Sequence, residues 1–559
     1  MRSGLRPGVR RKAPGRSLEW SLVAAAALFP LTLAGLFFAL AGRRPPAHAS
    51  GLPGHEAPTQ DLKSQQYGPG HYKPARQEAA WEALGRLPPE QLAGWREYAA
   101  ARGCSLDDAD YAQIFRDLAP FREGGGVDEA MLRRLSAALP GTLLVGLGGG
   151  APVRFAGTSS GDAEKKFPAH AAFWKDLLGE LAAHLPPIKL LLNAYDEARS
   201  WVAPLPAEVE ELMRNGSLTE EQVWHWRACD SVSPELAGMK RRHGAFASRL
   251  QFRSRRGLLP VFSAFKAPGC FADILIPGPQ NNPAAVNAAA TRSACPLSNT
   301  TFESKRPIAV WRGSSTGATY HATLPPEEWQ QYHRQRLVAL SKLHPEQLDA
   351  GFTAYIQCAP NQCDEMERRY GRLPPMDLAT LFDGFRFQMV VDGNGAPTRL
   401  LPTLCSGALT LLASILDEWW YFRARPFQHY LPVKPDYSDL LAAVDWARQH
   451  TAEAAAIAAA ASRLVNTRLR RDDALCYTYR LLLEYAAIYR SEPQTAEEAA
   501  AGDAEADGAA RLQDDGGGSG GGTSGRRAGV GGRYSRGMTV GELLVKPPPS
   551  PPAGQGFEW

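Results

Sequence analysis

A chain of 559 residues with 44% hydrophobic content has the apolar mass for a sizeable core, which excludes wholesale disorder, and its length allows about three to four domains at ~150 residues each. Sixty-two Lys and Arg against 58 Asp and Glu leave a formal charge of +4, too balanced for a protein built to coat nucleic acid. Gly 53 and Pro 44 together exceed ordinary usage and announce low-complexity sequence attached to a globular body.

Residues 1–19 carry Arg2, Arg6, Arg10, Arg11, Lys12 and Arg16, and read as a cytosolic tail. Residues 20–42, WSLVAAAALFPLTLAGLFFALAG, hold no charge. As a helix they reach about 34 Å, enough to span a hydrocarbon core of about 30 Å. Only Arg43 and Arg44 follow closely, so the positive-inside bias predicts a single-pass signal anchor with the remainder of the chain lumenal. A cleaved signal peptide is the rival reading, with Ala39, Ala41 and Ala47 near a cleavage site, but the apolar run exceeds the usual h-region. Residues 43–85, rich in Pro, His, Gly and Gln, read as a stem.

The body divides into residues 86–300 and 301–490, where helices and short apolar strands alternate as in α/β domains. The helix predicted over 168–185 ends at Pro186-Pro187, the strand Ile188 to Leu192 follows, and Asn193 to Glu197 leaves it as a loop containing Asp196. Two sequons, at Asn215 and Asn299, fit a lumenal setting. There the eight cysteines become disulfide candidates, with 105 complete pairings open. Cys358 and Cys363, spaced CxxxxC, lack the second pair a zinc site would need. The strand Ile308 to Trp311 runs into Arg312-Gly313-Ser314-Ser315-Thr316-Gly317, and the strand Phe385 to Val391 into Asp392-Gly393-Asn394-Gly395, with Arg399 just beyond. In open α/β sheets ligands bind at the carboxyl ends of strands, where these loops belong. Permanent charge on two arginines, hydroxyls at 314–316 and Gly-loosened N–H groups make an anion cradle suited to a nucleotide diphosphate without metal. Residues 491–559, Ala-, Gly- and Pro-rich, read as a disordered tail.

Three motif matches compete with that reading. Gly146 to Ala151 fits GxGxxA after an apolar run, but Pro152-Val153-Arg154-Phe155 reads as a second strand, so a Gly-rich hairpin is expected instead of a dinucleotide turn. Gly313 to Gly317 fits the GxSxG nucleophile elbow, with Ser315, Asp417 and His429 in triad order, yet ATYHATLPP cannot supply the helix that must follow. Asp108-Ala109-Asp110 has the DxD form of metal-dependent sugar transferases, but sits where helix-capping acids are expected.

Together these segments resemble glycosyltransferase family 90, the protein O-glucosyltransferases and fungal capsule xylosyltransferases. WRGSSTG at 311–317 is similar to the family signature. YAQIFRDLAPFR at 111–122, LLLNAYDEAR at 190–199, VFSAFKAPGCFADILIP at 261–277, FRFQMVVDGNGAPTRLLPTLCSGAL at 385–409, DEWW at 417–420, HYLPVKPDYSDL at 429–440 and DDALCYTYRLLLEY at 472–485 continue in family order. The resemblance implies an α/β fold of GT-B type, two Rossmann-like domains facing a cleft, beside the transmembrane helix. It further implies an inverting enzyme that takes glucose or xylose from UDP-glucose or UDP-xylose, without metal or other cofactor, to a glycoprotein or glycan hydroxyl. Asp196 falls where the family has its general base, and Arg312 and Arg399 where arginines hold the departing UDP. Ser314, Thr316, Gly317, Asn394 and Gly395 fall in the donor loops, and Asp273 in the segment that orients donor or acceptor. Cys104 and Cys476 match positions that are bridged. The chain departs from the animal members around Asp196, has no cysteine near 382 to pair with Cys405, and ends in Phe557-Glu558-Trp559, unlike a KDEL signal. Those departures favour an anchored Golgi enzyme over a soluble ER one. A family member that binds without turnover, and a Ser315 hydrolase, are the alternatives.

Overall fold

The computed structural model describes residues 87–156, 168–202, 211–212, 214–215, 217, 243–247, 255–279 and 295–491. All of them fall within one compact unit, Gln60–Trp559. The expected tail, anchor, stem and C-terminal low-complexity segment lie outside the described residues. Among the described residues no helix is long and apolar enough to cross a membrane.

Three helices, α1 (Pro89–Arg102), α2 (Ala112–Glu123) and α3 (Glu129–Ala138), lead into the first sheet. Strand β1 (Thr142–Gly148) turns through glycines into β2 (Ala151–Ala156), its antiparallel partner, which makes the glycine run a hairpin. Helix α4 (Pro168–Gly179) buries Ala171, Trp174, Leu177 and Leu178 at helical spacing, and Trp174 Nε1 donates to Pro277 O at 3.1 Å. Strand β3 (Ile188–Asn193) runs antiparallel to β1 and parallel to β4 (Val261–Ser263), which lies beside β5 (Ile274–Leu275). The order β2-β1-β3-β4-β5 is therefore a mixed sheet, where a Rossmann-like half would have an all-parallel one.

The second half meets the parallel expectation. Strand β6 (Arg306–Ser314) is followed by α5 (His333–Leu343), β7 (Leu348–Ala354), α6 (Pro360–Tyr370), α7 (Leu378–Gly384), β8 (Phe385–Val391), α8 (Leu400–Leu404), β9 (Leu409–Ala413) and β10 (Leu431–Pro432). These strands form one parallel sheet in the order β7-β6-β8-β9-β10. Strand β6 extends beyond Trp311, the expected end, because Arg312 and Gly313 continue the ladder against Gly351 and Phe352 of β7. Arg312 and Ser314 thus stand on a strand, and the loop proper begins at Ser315.

Helices α9 (Leu440–Gln449), α10 (Thr451–Arg468) and α11 (Arg471–Ala486) follow, and the short strand Tyr489–Arg490 after them pairs parallel with Val127–Asp128 of the first half. Every residue of α11 from Asp473 to Tyr485 is buried, and Leu475, Tyr477 and Leu482 share one apolar cluster with Trp95, Ile114, Val145, Leu191 and Val261 of the first half. Each fully buried Leu there contributes about 1.5–3 kcal/mol. A second cluster, with Trp311, Phe352, Phe387 and Leu411, fills the second half. Disulfides join Cys104 to Cys476, Cys295 to Cys405 and Cys358 to Cys363, and Cys270 is disulfide-bonded as well. Cys405, which lacks a partner near 382, finds one in Cys295; Phe382 is buried in apolar surroundings.

Candidate active site

Asp196 sits at the exposed tip of a loop whose backbone is tied down on both sides. Asn193, the last residue of β3, donates from Nδ2 to Glu197 O at 2.7 Å and to Ser263 Oγ at 3.1 Å, and its Oδ1 accepts from Tyr195 N. Ala194 N donates to Gly141 O, and the Tyr195 ring lies so close over Gly141 that a Cβ there would meet it at 1.7 Å. Gly141 also has φ +72°, so both its conformation and its lack of side chain seat the loop. Beyond the tip, the buried Asp273 carboxylate accepts from Arg199 N and Ser200 N at 2.8 Å each, and from Ser263 Oγ at 2.6 Å. Burial nevertheless pushes the Asp273 carboxyl up, against those hydrogen bonds. Asp273 therefore braces the loop's backbone from inside the fold. His170 of α4 lies near enough to Asp196 to feel its charge, although burial, the larger effect, holds the imidazole below its usual range.

At the carboxyl end of the second sheet, three arginines converge. Arg312 is buried and its guanidinium pairs with Asp349 Oδ1 at 2.7 Å while donating to Asp349 O and Trp311 O. Arg399 donates to Arg312 O at 2.6 Å. Arg334, on α5, donates to Asp392 O, Ser314 O and Thr316 Oγ1 at 2.8, 2.8 and 2.6 Å, and lies over the Trp311 ring. These partners of Arg334 and Arg399 carry no formal charge. Burial, and next the Arg399 charge, bring Arg334 down to about 10, and burial lowers Arg399 too. Two desolvated guanidiniums beside each other, held by carbonyls and a hydroxyl, with the buried Asp392 carboxylate as the counter-charge that Arg334 feels, form a positive locus that favours an anion. Ser314 and Thr316 hydroxyls bond each other there at 3.1 Å, and Asn394 Oδ1 accepts from Gly317 N at 2.9 Å, so the two glycine-containing loops form one surface. Gly395 has no room for a side chain: a Cβ would meet the Phe265 ring at 2.1 Å.

That close approach is part of how the halves are joined. A third apolar cluster takes Ala198, Trp201 and Phe246 from the first half, Phe265 and Phe271 from the segment around β4, and Ala396, Ile415 and Leu416 from the second half. Phe265–Lys266 also pairs antiparallel with Asp417–Glu418. The loop bearing Asp196 and the loop bearing Asn394 thus pack on the same cluster, two residues away from each functional position.

Two histidines that sequence reasoning did not single out complete the arrangement. His243 stacks on His333 with ring centroids 4.0 Å apart and planes 3° apart. His333 Nδ1 accepts from Gly244 N, so its Nε2 donates to Asp392 O at 3.0 Å; His243 Nε2 lies 3.2 Å from Asp392 Oδ2. Burial drives His243 down to about 3 and His333 well below its usual range, so both rings are neutral and the stack involves no like-charge repulsion. Burial pushes Asp392 up to about 6, opposed by donation from Ser414 Oγ and Ile415 N.

The competing motifs lie elsewhere or are otherwise engaged. The Ser315 hydroxyl is fully buried, donates to Ile356 O at 2.7 Å and accepts from Ile356 N at 2.8 Å, so it is a backbone clasp. His429 Nδ1 accepts from Arg425 N, and Asp417 belongs to the ladder with Lys266. Asp108 and Asp110 pair with Arg480 and Arg468. Among the described residues, no group of three or more His, Cys, Asp or Glu side chains gathers as a metal site would require. Asn215 and Asn299 are both exposed.

Residues 296–511 match the model of the family Glycosyl transferase family 90. The chain is similar to protein O-glucosyltransferase 3 of Rattus norvegicus, 35% identical over 161 residues, which is 29% of this chain and 30% of the rat protein. It is also similar to protein O-glucosyltransferase 2 of Danio rerio, 33% identical over 29% of this chain and 31% of that protein. With protein O-glucosyltransferase 1 of Rattus norvegicus the identity is 29% over 33% of this chain and 43% of the relative. The chain thus spans less than half the length of each of these relatives.

Proposed function

Because the chain belongs to glycosyltransferase family 90, we propose that it is an inverting glycosyltransferase that moves glucose or xylose from a UDP-sugar to a hydroxyl of a glycoprotein or glycan. The observation that carries this reading is the junction just described: a carboxylate on a fixed loop and a desolvated arginine cluster, tied to one apolar cluster at the carboxyl ends of two sheets. The two sheets support a GT-B type architecture, in which donor and acceptor meet between the halves.

In this mechanism Asp196 takes the proton of the acceptor hydroxyl as its oxygen attacks the anomeric carbon, from the face opposite the phosphate. The new glycosidic bond forms as the bond to the UDP oxygen breaks, and configuration inverts. Negative charge grows on the departing diphosphate, where Arg399, Arg334 and the Arg312 region would stabilise it more than in the ground state. Hydroxyls of Ser314 and Thr316 and the N–H groups around Gly317, Asn394 and Gly395 would supply the remaining donors. Arginine charge substitutes for a metal here, since no step requires a divalent ion. Asp273 acts through the backbone it braces. The N-terminal apolar run and the sequons at Asn215 and Asn299 support a single-pass, lumenal orientation in the Golgi or ER.

Asp196→Asn tests the assignment: transfer should fall by roughly 10²–10⁴-fold, the contribution of a positioned general base, while UDP binding persists. A variant that keeps the full rate removes Asp196 from the role. Incubating the protein with a panel of UDP-sugars and measuring UDP release identifies the donor.

A further inference from the structure

Past the end of β7 the chain adopts a backbone that few residues accept. Gln357 has φ +61°, one of three non-glycine residues with left-handed φ among the described residues. Such conformations persist where their surroundings over-determine them, and they concentrate at functional sites. The surroundings here are the loop that follows β6. Ser315 clasps both backbone groups of Ile356, Tyr320 N donates to Gln357 O at 2.9 Å, Ala359 N donates to Tyr320 O, and the Cys358–Cys363 disulfide begins one residue later. Residues 356–359 are zipped to 315–320, the segment that also carries Thr316 and Gly317.

On this fixed backbone, the Gln357 carboxamide has neither its Oε1 nor its Nε2 hydrogen-bonded, although both atoms are shut off from solvent. Among the described residues it is the one carboxamide whose two ends are both buried and unbonded. Buried polar groups in native folds normally have partners, and a residue that lacks both calls for one. Gln357 is half-buried as a residue and lies just past the carboxyl end of β7, the strand beside β6, which carries Arg312.

We propose that Gln357 reads the nucleobase of the donor. The imide edge of uracil sets an N–H donor beside a carbonyl acceptor, and a carboxamide answers with a carbonyl and an NH₂ in the same plane. Placement beside the cradle fits: a diphosphate held by Arg334 and Arg399 leaves its nucleoside to lie along the neighbouring strand end, which is where β7 stops. This assignment rests on the nucleotide-sugar donor proposed above and supplies the part of recognition that the arginines cannot, since they see only phosphate.

The test is calorimetric titration of the full chain with UDP and, separately, with inorganic pyrophosphate, for wild type, Gln357→Leu and Gln357→Glu. Loss of a bidentate amide–base contact should weaken UDP by about 5–150-fold in Gln357→Leu, with pyrophosphate affinity held within about twofold. Gln357→Glu, which keeps an acceptor but loses the NH₂ donor, should also weaken UDP selectively. Unchanged UDP affinity in either folded variant overturns the assignment. An equal loss for UDP and pyrophosphate overturns it too, and marks Gln357 as a support for the phosphate loop. A wild-type protein that binds pyrophosphate as tightly as UDP shows that no base is read, and this assignment falls while the anion site stands. One that binds neither removes the donor reading itself.

Discussion

Charges in this molecule are buried in places where only one protonation state is tolerable, and the histidines report it. His429 Nδ1 accepts a hydrogen bond from Arg425 N at 2.9 Å, a role only the neutral ring can fill. Burial, then the Arg425 and Arg463 charges, push it down to about 4. Its folded value is thus lower than its unfolded value near 6.5, and the unfolded chain binds the proton first as pH falls. The stability it contributes is complete above pH 6.5 and is lost toward pH 4, with a slope of at most about 1.4 kcal/mol per pH unit. Denaturant midpoints of His429→Gln against wild type should therefore converge as pH drops from 6.5 to 4; parallel curves would show that the ring titrates normally. At this scale the loop position of Asp196 was legible, because a strand of continuous apolar residues ends next to it. Arg334 and His333 were not. They lie on α5, in HRQRLVALSKL, where charged residues read as a solvated helix face, and only the tertiary approach of Asp392 turns them inward.

Elements differ in how far local pattern decides them. Strands β3 and β8 and the β1–β2 hairpin were legible because unbroken apolar runs between proline, glycine or charged stops admit little else. The end of β6 was missed because Arg312 and Ser314 look like loop residues, and their strand geometry comes from pairing with β7. The antiparallel course of β1 against β3 was likewise invisible, since strand direction is a non-local property. Packing between elements makes its own prediction. Gly395 touches the Phe265 ring so closely that Gly395→Ala must push the second-half loop away from the first-half segment. Overpacking of this kind costs about 1–3 kcal/mol, and donor KM should rise as Asn394 moves. Adding Phe265→Leu should restore part of both the melting temperature and KM; a double variant no better than the single one would show that the contact is not what matters.

The whole molecule is stapled across its length. The Cys104–Cys476 bridge joins residues 372 apart in sequence, linking the end of α1 to α11. Cross-links over long loops restrict the unfolded chain most, and removing one from a secreted domain costs roughly 2–5 kcal/mol. The double variant Cys104→Ala/Cys476→Ala should unfold at correspondingly lower denaturant, and reductant should no longer shift its midpoint through that bridge. A midpoint equal to wild type would mean the apolar packing of α11 alone suffices. The resemblance named this pairing in advance, whereas Cys295–Cys405 could not be chosen from 105 possibilities.

Because α11 fills the core of the half that the chain begins with, synthesis on the ribosome runs in an awkward order. Residues 87–279 emerge first yet must wait, apolar faces open, until codons past 486 have been translated. A nascent chain stalled or truncated between α10 and α11 carries a second half with its core helices in place and an unfinished partner, the kind of species that chaperones hold and quality control removes.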